Sequence, residues 1–152
     1  MTEKSPPRSF EIKIGLGLES IDFGVTMEKV QRELGSRGEE SVFDDGDRHL
    51  YFDDLGLAFF FSADDGNRLS SIEASDRSRC HLCGRRLFGE PIVMVVDAVR
   101  TSLSSAIATA LPRFAEEPGE TELRFSEISL NLYFNERRRL RSIQWGPFPT
   151  GR

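Results

Sequence analysis

Apolar and polar residues alternate along two stretches of the chain, and the second stretch repeats the first. The apolar positions of the first are Leu55, Leu57, Phe59 and Phe61, and those of the second, 73 residues later, are Ile128, Leu130, Leu132 and Phe134. A period of two is typical of a strand with one buried face. Each stretch is followed by a turn and a second matching segment, residues 68–72 and 139–143. The sequence therefore predicts two β-hairpins built on one template, with the Asp65-Gly66 pair as a hairpin turn signal.

A short helix is predicted before the first hairpin. Met27, Val30 and Leu34 have the spacing of one helix face. Thr26 is a suitable N-cap, and Gly35 provides a C-terminal stop.

A second helix is predicted before the second hairpin. It follows Glu90 and Pro91, and proline is acceptable in a first turn. The helical spacing continues through Ile92, Val95, Val99 and Leu103. Residues 92–96 alone are equally compatible with a strand, and the repeat favours the helix. Residues 104–111 extend this helix or form another.

The predicted fold class is α+β, with two helix-plus-β-meander repeats that form one antiparallel sheet with both helices on one face. We expect a disordered leader at residues 1–9, a single domain at 10–145 made of repeats 10–75 and 80–145, and a frayed tail at 146–152. Residues 76–86 are interpreted as the connection between the repeats.

The arginine-rich segment at residues 137–141 does not fit a regular strand. Leu140 and Ile143 cannot share one face of such a strand, so we expect a bulge or a twist between them. A solvated strand is a better interpretation of these arginines than a phosphate site.

The chain of 152 residues suits one domain, and it contains no apolar run long enough to span a membrane. Its first residues have no apolar core of the kind found in a secretory signal, so we expect a cytoplasmic protein. The two cysteines fit that compartment better than a structural disulfide does.

Charge is distributed unevenly along the chain. Residues 1–75 contain 16 acidic and 8 basic residues, whereas residues 76–152 contain 9 acidic and 12 basic ones. Such asymmetry suggests a partner with a charged surface, although acidic loops also serve solubility. The few basic residues oppose an acidic half, so we expect no nucleic-acid partner.

Cys80, His81 and Cys83 form a candidate metal or redox motif. A structural zinc site needs four ligands, and here His49 is the only further histidine. A thioredoxin-like redox site needs a βαβ context that the pattern does not provide. The favoured interpretation is a pair of reduced cysteines in the connection between repeats, with no metal and no cofactor.

Acidic residues near the first hairpin form a candidate patch for a basic protein partner. They are Asp44, Asp45, Asp47, Asp53 and Asp54. Turn chemistry also explains the Asp-Gly pairs, and no EF-hand ligand pattern is present. Phe60 belongs to the opposite strand face from Phe59 and Phe61, so we expect it on the uncovered sheet face as a partner-binding anchor.

Catalysis is not predicted. The sequence has no nucleophile elbow, no phosphate-binding glycine loop and no zinc-protease motif. The alternative to a non-enzymatic domain is a small-ligand or metal-dependent enzyme that uses carboxylates on the open sheet face.

The order of a Phe-Gly pair, a Thr or Pro, a short helix and a meander resembles the tandem repeat of the beta-lactamase inhibitor proteins. A segment of the first repeat is also similar to small bacterial proteins of the immunity type, through Ile14-Gly15-Leu16-Gly17, Ile21-Asp22-Phe23-Gly24-Val25-Thr26, Val30 and Leu34-Gly35. The resemblance implies a protein that inhibits another protein. It leads to the hypothesis of a cytoplasmic bacterial immunity protein that masks the active site of a toxin with a basic surface.

Overall fold

The computed structural model describes residues 9–35, 38–103, 113–117 and 120–149, with only the backbone at 114–117. The described ranges exclude residues 1–8 of the predicted leader, residues 104–111 and residues 150–152. Within them the chain forms two α-helices, α1 (Met27–Leu34) and α2 (Ile92–Ser102), and twelve strands. The strands are β1 (Phe10–Lys13), β2 (Gly17–Leu18), β3 (Ile21–Asp22), β4 (Glu39–Val42), β5 (Arg48–Phe52), β6 (Leu57–Ser62), β7 (Arg68–Ser75), β8 (Cys80–His81), β9 (Arg113–Glu117), β10 (Glu120–Phe125), β11 (Leu130–Phe134) and β12 (Leu140–Trp145).

Eight strands form one large antiparallel sheet in the spatial order β4-β5-β6-β7-β12-β11-β10-β9. We call β4–β7 the first half of this sheet and β9–β12 the second half. In each half, strands adjacent in the chain are adjacent in the sheet. The last strands of the two halves meet at the centre, and their first strands are the two outer edges. The α+β class with an antiparallel sheet is thus confirmed.

The central pairing of β7 with β12 is symmetric. Ile72 lies opposite Trp145 and Ala74 lies opposite Ile143. With the sequence offset of 71, Ile72 corresponds to Ile143 and Ala74 to Trp145. If β7 and β12 changed places, the pair Ile72–Trp145 would therefore take the position of the pair Ala74–Ile143.

Turn hydrogen bonds also recur at corresponding positions. Gly24 N donates to Leu69 O at 2.9 Å, and Gly89 N donates to Leu140 O at 2.9 Å. At the other end of the sheet, the N–H groups of residues 75 and 146 donate to the carbonyl oxygens of residues 56 and 129 at 2.9 Å each. Gly56 and Ser129 both have a left-handed backbone conformation.

Each half contains a β-bulge at the same place. The pairing shifts between Phe60 and Phe61 in the first half and between Tyr133 and Phe134 in the second. The residue left over on the partner strand is Ser70 in one case and Arg141 in the other. The bulge expected between Leu140 and Ile143 is confirmed, and it lets both side chains reach the core.

One face of the large sheet is covered. Phe59 and Leu132 are fully buried on this face, as are Leu57 and Leu130, in agreement with the sequence pattern. Alternate residues of β5–β7 and β10–β12 join one hydrophobic core with side chains from both helices. Both helices therefore pack on this core face.

Helix α1 has the predicted ends. Thr26 caps it, because the Thr26 hydroxyl accepts a hydrogen bond from Lys29 N at 3.3 Å, and Gly35 ends it in a left-handed conformation with φ of 65°. Met27, Val30 and Leu34 are buried. Each feature follows from a local signal.

Helix α2 resolves the ambiguity at residues 92–96 in favour of a helix. Its buried residues are Val95, Ala98 and Val99. No helix in the described ranges is long and apolar enough to cross a membrane.

The prediction of one sheet is wrong, because the chain also forms a second, four-stranded sheet with the order β3-β2-β1-β8. Strand β8 pairs in parallel with β1, so residues 76–86 do more than connect the halves. Trp145 joins the two sheets, because Trp145 Nε1 donates a hydrogen bond to Gly17 O at 2.9 Å.

Residues beyond the predicted domain boundary at 145 contact the first segment of the chain. Pro147 forms a bridge with Gly15, and Phe148 is partly buried against the core. A Cβ atom at Gly15 would clash with the Phe148 ring. Residues 146–149 therefore pack on the first segment of the chain, because Phe148 buries apolar surface there.

Candidate functional site: the open face of the large sheet

The second face of the large sheet, which we call the open face, has its own set of side chains. Cross-strand pairing aligns one row of them across all eight strands: Glu39, Tyr51, Ala58, Glu73, Gln144, Asn131, Arg124 and Arg113. Of this row Ala58 is buried, but it does not belong to the hydrophobic core. The open face is thus a separate surface.

Four rings form an aromatic cluster on the first half of the open face, namely Phe43, His49, Tyr51 and Phe60. The His49 ring lies 4.2 Å from the Phe43 ring and 4.5 Å from the Phe60 ring, centroid to centroid. The Phe60 contact is perpendicular, a favourable geometry for aromatic pairs. Phe43 is 45 % exposed, and His49, Tyr51 and Phe60 are half-buried. The cluster therefore presents apolar surface to solvent.

His49 holds the cluster together. Its Nδ1 lies 3.0 Å from the Tyr51 hydroxyl, within hydrogen-bonding distance. Burial lowers the pKa of His49, against the opposing effect of Asp47 and Asp45. The imidazole is therefore neutral at pH 7, when it packs as an aromatic ring.

Phe60 lies on the open face, where the sequence placed it, but it is half-buried rather than freely exposed. Its edge-on contact with His49 and its place opposite Ser71 fix its position. Whether it binds a partner remains a prediction.

The second half of the open face is polar. The Tyr133 hydroxyl donates a hydrogen bond to Gln144 Oε1 at 3.1 Å, and Gln144 Nε2 donates to Ser71 Oγ at 3.3 Å. Two ion pairs lie nearby, Arg124 with Glu122 at 2.9 Å and Arg141 with Glu120 at 2.7 Å. These four charged groups are thus neutralised in pairs.

The predicted acidic patch is divided between two ends of the sheet. Asp44, Asp45 and Asp47 belong to the turn between β4 and β5, whereas Asp53 and Asp54 belong to the turn between β5 and β6. These turns are separated by the length of β5, about 20 Å at the usual rise of a strand. The five carboxylates therefore do not form one patch, because consecutive turns of a meander lie at opposite sheet edges.

Asp47 differs from its neighbours because its side chain forms a hydrogen bond to a second turn. Asp47 Oδ1 accepts a hydrogen bond from Ala63 N at 2.8 Å and so joins two turns. Asp45 Oδ1 accepts one from Asp47 N at 3.0 Å. Asp44, Asp53 and Asp54 are exposed and are available to a partner.

Glu73 is the central carboxylate of the first half, and sequence reasoning missed it. It is half-buried, and burial raises its pKa, with Arg141 acting in the opposite direction. Among the described residues no side chain forms an ion pair or a hydrogen bond with it. The Glu73 carboxyl is thus poorly hydrated, and the charge of Arg141 is the attraction that opposes the effect of burial.

Two depressions on the open face lie on either side of the β7–β12 pair. The Glu73 cleft, about 180 Å³, is lined by Tyr51, Asp53, Gly56, Ala58, Glu73 and Arg77 among others. The Gln144 cleft, about 330 Å³, is lined at corresponding positions by Ser126, Ser129, Asn131 and Gln144. The same backbone feature therefore has a charged lining in one half and a neutral lining in the other.

The candidate zinc ligands are not brought together. Cys80 is buried, and burial raises the pKa of its thiol to about 11, whereas Cys83 is exposed in a tight turn. His49 lies on the open face, away from the core that contains Cys80. In the part of the chain that the structure describes, no three His, Cys, Asp or Glu residues are arranged to hold a metal ion.

Some of these site residues had a sequence signal and others did not. The alternation of residues 48–52 places His49 and Tyr51 opposite to Leu50 and Phe52, which is a readable pattern. Glu73 could be found only by aligning it with Gln144, because a carboxylate on a polar strand face is otherwise ordinary.

No protein-family model matches this chain, and no curated protein or solved structure shows significant similarity to it.

Proposed function

We propose that this protein is a non-enzymatic binding domain that recognises a basic protein through the first half of the open face. The aromatic cluster is the observation that carries the proposal. It presents rigid, partly exposed rings, with Phe43 the most exposed, and aromatic anchors of this kind dominate the energy of many protein interfaces.

The charges of the first half support a basic partner. Among the described residues, no basic side chain forms an ion pair with Glu39, Asp53 or Glu73, whereas Glu120 and Glu122 in the second half are paired with arginines. Uncompensated carboxylates around an apolar centre favour a positively charged surface and steer its approach.

We further propose that the two halves are copies of one unit of a helix and four strands. The symmetric central register, the paired turn hydrogen bonds and the two bulges support this. Together with the resemblance to beta-lactamase inhibitor proteins, they favour a more specific role. In that role the protein is a bacterial immunity protein that acts in the cytoplasm and masks the active site of a toxin.

The test uses the product of the gene next to the one that encodes this chain, titrated against Phe60→Ala. We expect a loss of binding of roughly 2 kcal/mol, little affected by salt. Tyr133→Ala, at the corresponding position of the second half, is the matched control and should bind within about 0.5 kcal/mol of the wild type.

Charge reversal of Asp44 and Asp53 to Lys tests the basic partner separately. We expect slower association, with the difference shrinking as salt is raised. If the adjacent gene product neither inhibits growth nor binds, the immunity role is wrong. If a partner binds equally well to Phe60→Ala and Tyr133→Ala, the assignment of the surface is wrong.

A further inference from the structure

The Glu73 cleft owes its shape to one small residue. Tyr51, Ala58 and Glu73 are successive members of the open-face row, on β5, β6 and β7. Neighbouring Cβ atoms in such a row are about 5 Å apart, so Tyr51 and Glu73 lie on either side of a floor formed by Ala58. In the second half the corresponding floor residue is Asn131, whose larger polar side chain lines the Gln144 cleft. The first half therefore has a small apolar floor residue where the second half has a larger polar one.

The lining of this cleft suits a cation. Among the lining side chains Glu73 and Asp53 contribute two carboxylates against the guanidinium of Arg77, while Arg141 acts on Glu73 from outside the lining. The Tyr51 ring is held in place through its hydroxyl, 3.0 Å from His49 Nδ1, and an aromatic face attracts cations. Among the described residues, no side chain forms a hydrogen bond or an ion pair with Glu73.

We propose that the Glu73 cleft binds one cationic side chain of the partner protein, an arginine, between Tyr51 and Glu73. The proposal rests on the protein-binding function given above and identifies its anchor residue. A planar guanidinium can stack on the Tyr51 ring while it donates hydrogen bonds to the Glu73 carboxylate.

The cleft can be tested without the partner. Amide chemical shifts of the ¹⁵N-labelled protein are followed while Nα-acetyl-L-arginine N-methylamide is added. We expect shifts centred on Gly56, Ala58 and Glu73. The corresponding citrulline amide, a neutral isostere of arginine, should bind about tenfold more weakly, because it lacks the charge.

Two substitutions isolate the groups that the proposal uses. Glu73→Gln removes the charge and copies the residue found at position 144. Ala58→Asn fills the floor and copies the residue found at position 131. Each is expected to weaken arginine-amide binding about tenfold. Asn131→Ala, which enlarges the Gln144 cleft, is the matched control and should leave binding unchanged.

The proposal is overturned if the arginine amide shifts no amide of the cleft up to its solubility limit, or if it and the citrulline amide bind equally. It is also overturned if inorganic phosphate, added in a parallel titration, shifts these amides instead, since that result would assign the cleft to anions through Arg77. If Phe60→Ala weakens partner binding and Glu73→Gln does not, the protein-binding function is supported. In that case only the arginine proposal is wrong.

Discussion

The two halves of the large sheet are alike on the core face and unlike on the open face. At corresponding core positions the first half has Leu50, Phe52, Leu57 and Phe61, and the second has Leu123, Phe125, Leu130 and Phe134. At corresponding open-face positions the first half has His49, Tyr51, Ala58 and Glu73, and the second has Glu122, Arg124, Asn131 and Gln144. Packing against the helices restricts the core positions equally in both halves. The open face lacks that restriction, and the apolar residues concentrated in its first half are therefore the better guide to function.

The largest expected effect concerns the shared core. Phe59→Ala and Leu132→Ala remove fully buried side chains from corresponding positions. We expect losses in the free energy of unfolding of about 3–5 and about 2–5 kcal/mol respectively, measured by urea denaturation. Leu16→Ala is the control, because Leu16 is 59 % exposed and its loss should change stability by less than about 0.5 kcal/mol. A small effect at Leu132 alone would show that the two cores are not equivalent.

An intermediate effect is expected at Asp47. The bond from Ala63 N to Asp47 Oδ1 joins two turns of the first half, whereas in the second half Asn135 Oδ1 accepts from Arg137 N and Arg139 N of its own turn. Asp47→Ala should reduce the free energy of unfolding by about 1–2 kcal/mol, because Ala63 N loses its acceptor. Asp44→Ala, three residues away and exposed, should change it by less than about 0.5 kcal/mol. Equal melting temperatures for the two variants would contradict the structural role of Asp47.

The smallest effect is expected from substitutions at Glu73 and Gln144, which lie opposite each other at the centre of the sheet. Because burial raises the pKa of Glu73, ionised Glu73 opposes folding, and that penalty grows as the pH rises above the ordinary value of 4.5. Glu73→Gln should therefore stabilise the protein at pH 7, by less than about 1 kcal/mol. The gain should disappear in acid, where Glu73 is protonated in both the folded and unfolded states.

Gln144→Glu is the reciprocal change and should be mildly destabilising at neutral pH. Thermal melts of both variants between pH 4 and pH 8, about the range over which a shifted carboxyl titrates, test the pair. A Glu73→Gln variant that is less stable than the wild type at pH 7 would mean that Glu73 has a structural partner. More stable folding combined with weaker arginine binding would mark Glu73 as a residue kept for function.

Much of the fold was predictable because its signals are local. Thr26 and Gly35 mark the ends of α1, and the alternation around Phe59 and Leu132 marks the central strands. The bulge at Arg141 followed from the conflict between Leu140 and Ile143. Such features depend on neighbours in the chain, which a single sequence displays directly.

The features of the fold and the site that were not predicted depend on contacts between distant segments of the chain. The pairing of β8 with β1 and the packing of Phe148 on Gly15 have no local pattern. The same limit explains why the predicted acidic patch is divided in the structure. Its members were grouped by their proximity in sequence, which ignored the length of β5 between Asp47 and Asp53. Glu73 was missed because its importance comes from burial, which depends on Tyr51, Ala58 and the β12 strand together.

The symmetric register at the centre of the sheet has a consequence for origin. A pairing that is unchanged when its two strands exchange places is the contact that two identical chains make across a twofold axis. Ile72 opposite Trp145 and Ala74 opposite Ile143 are its two equivalent pairs, and residues 73 and 144 face each other across the axis. The joint between β7 and β12 thus has the form of a homodimer interface enclosed in a single polypeptide. On the proposal that the two halves are copies of one unit, the outer surface of each half can change alone, since a substitution no longer appears twice.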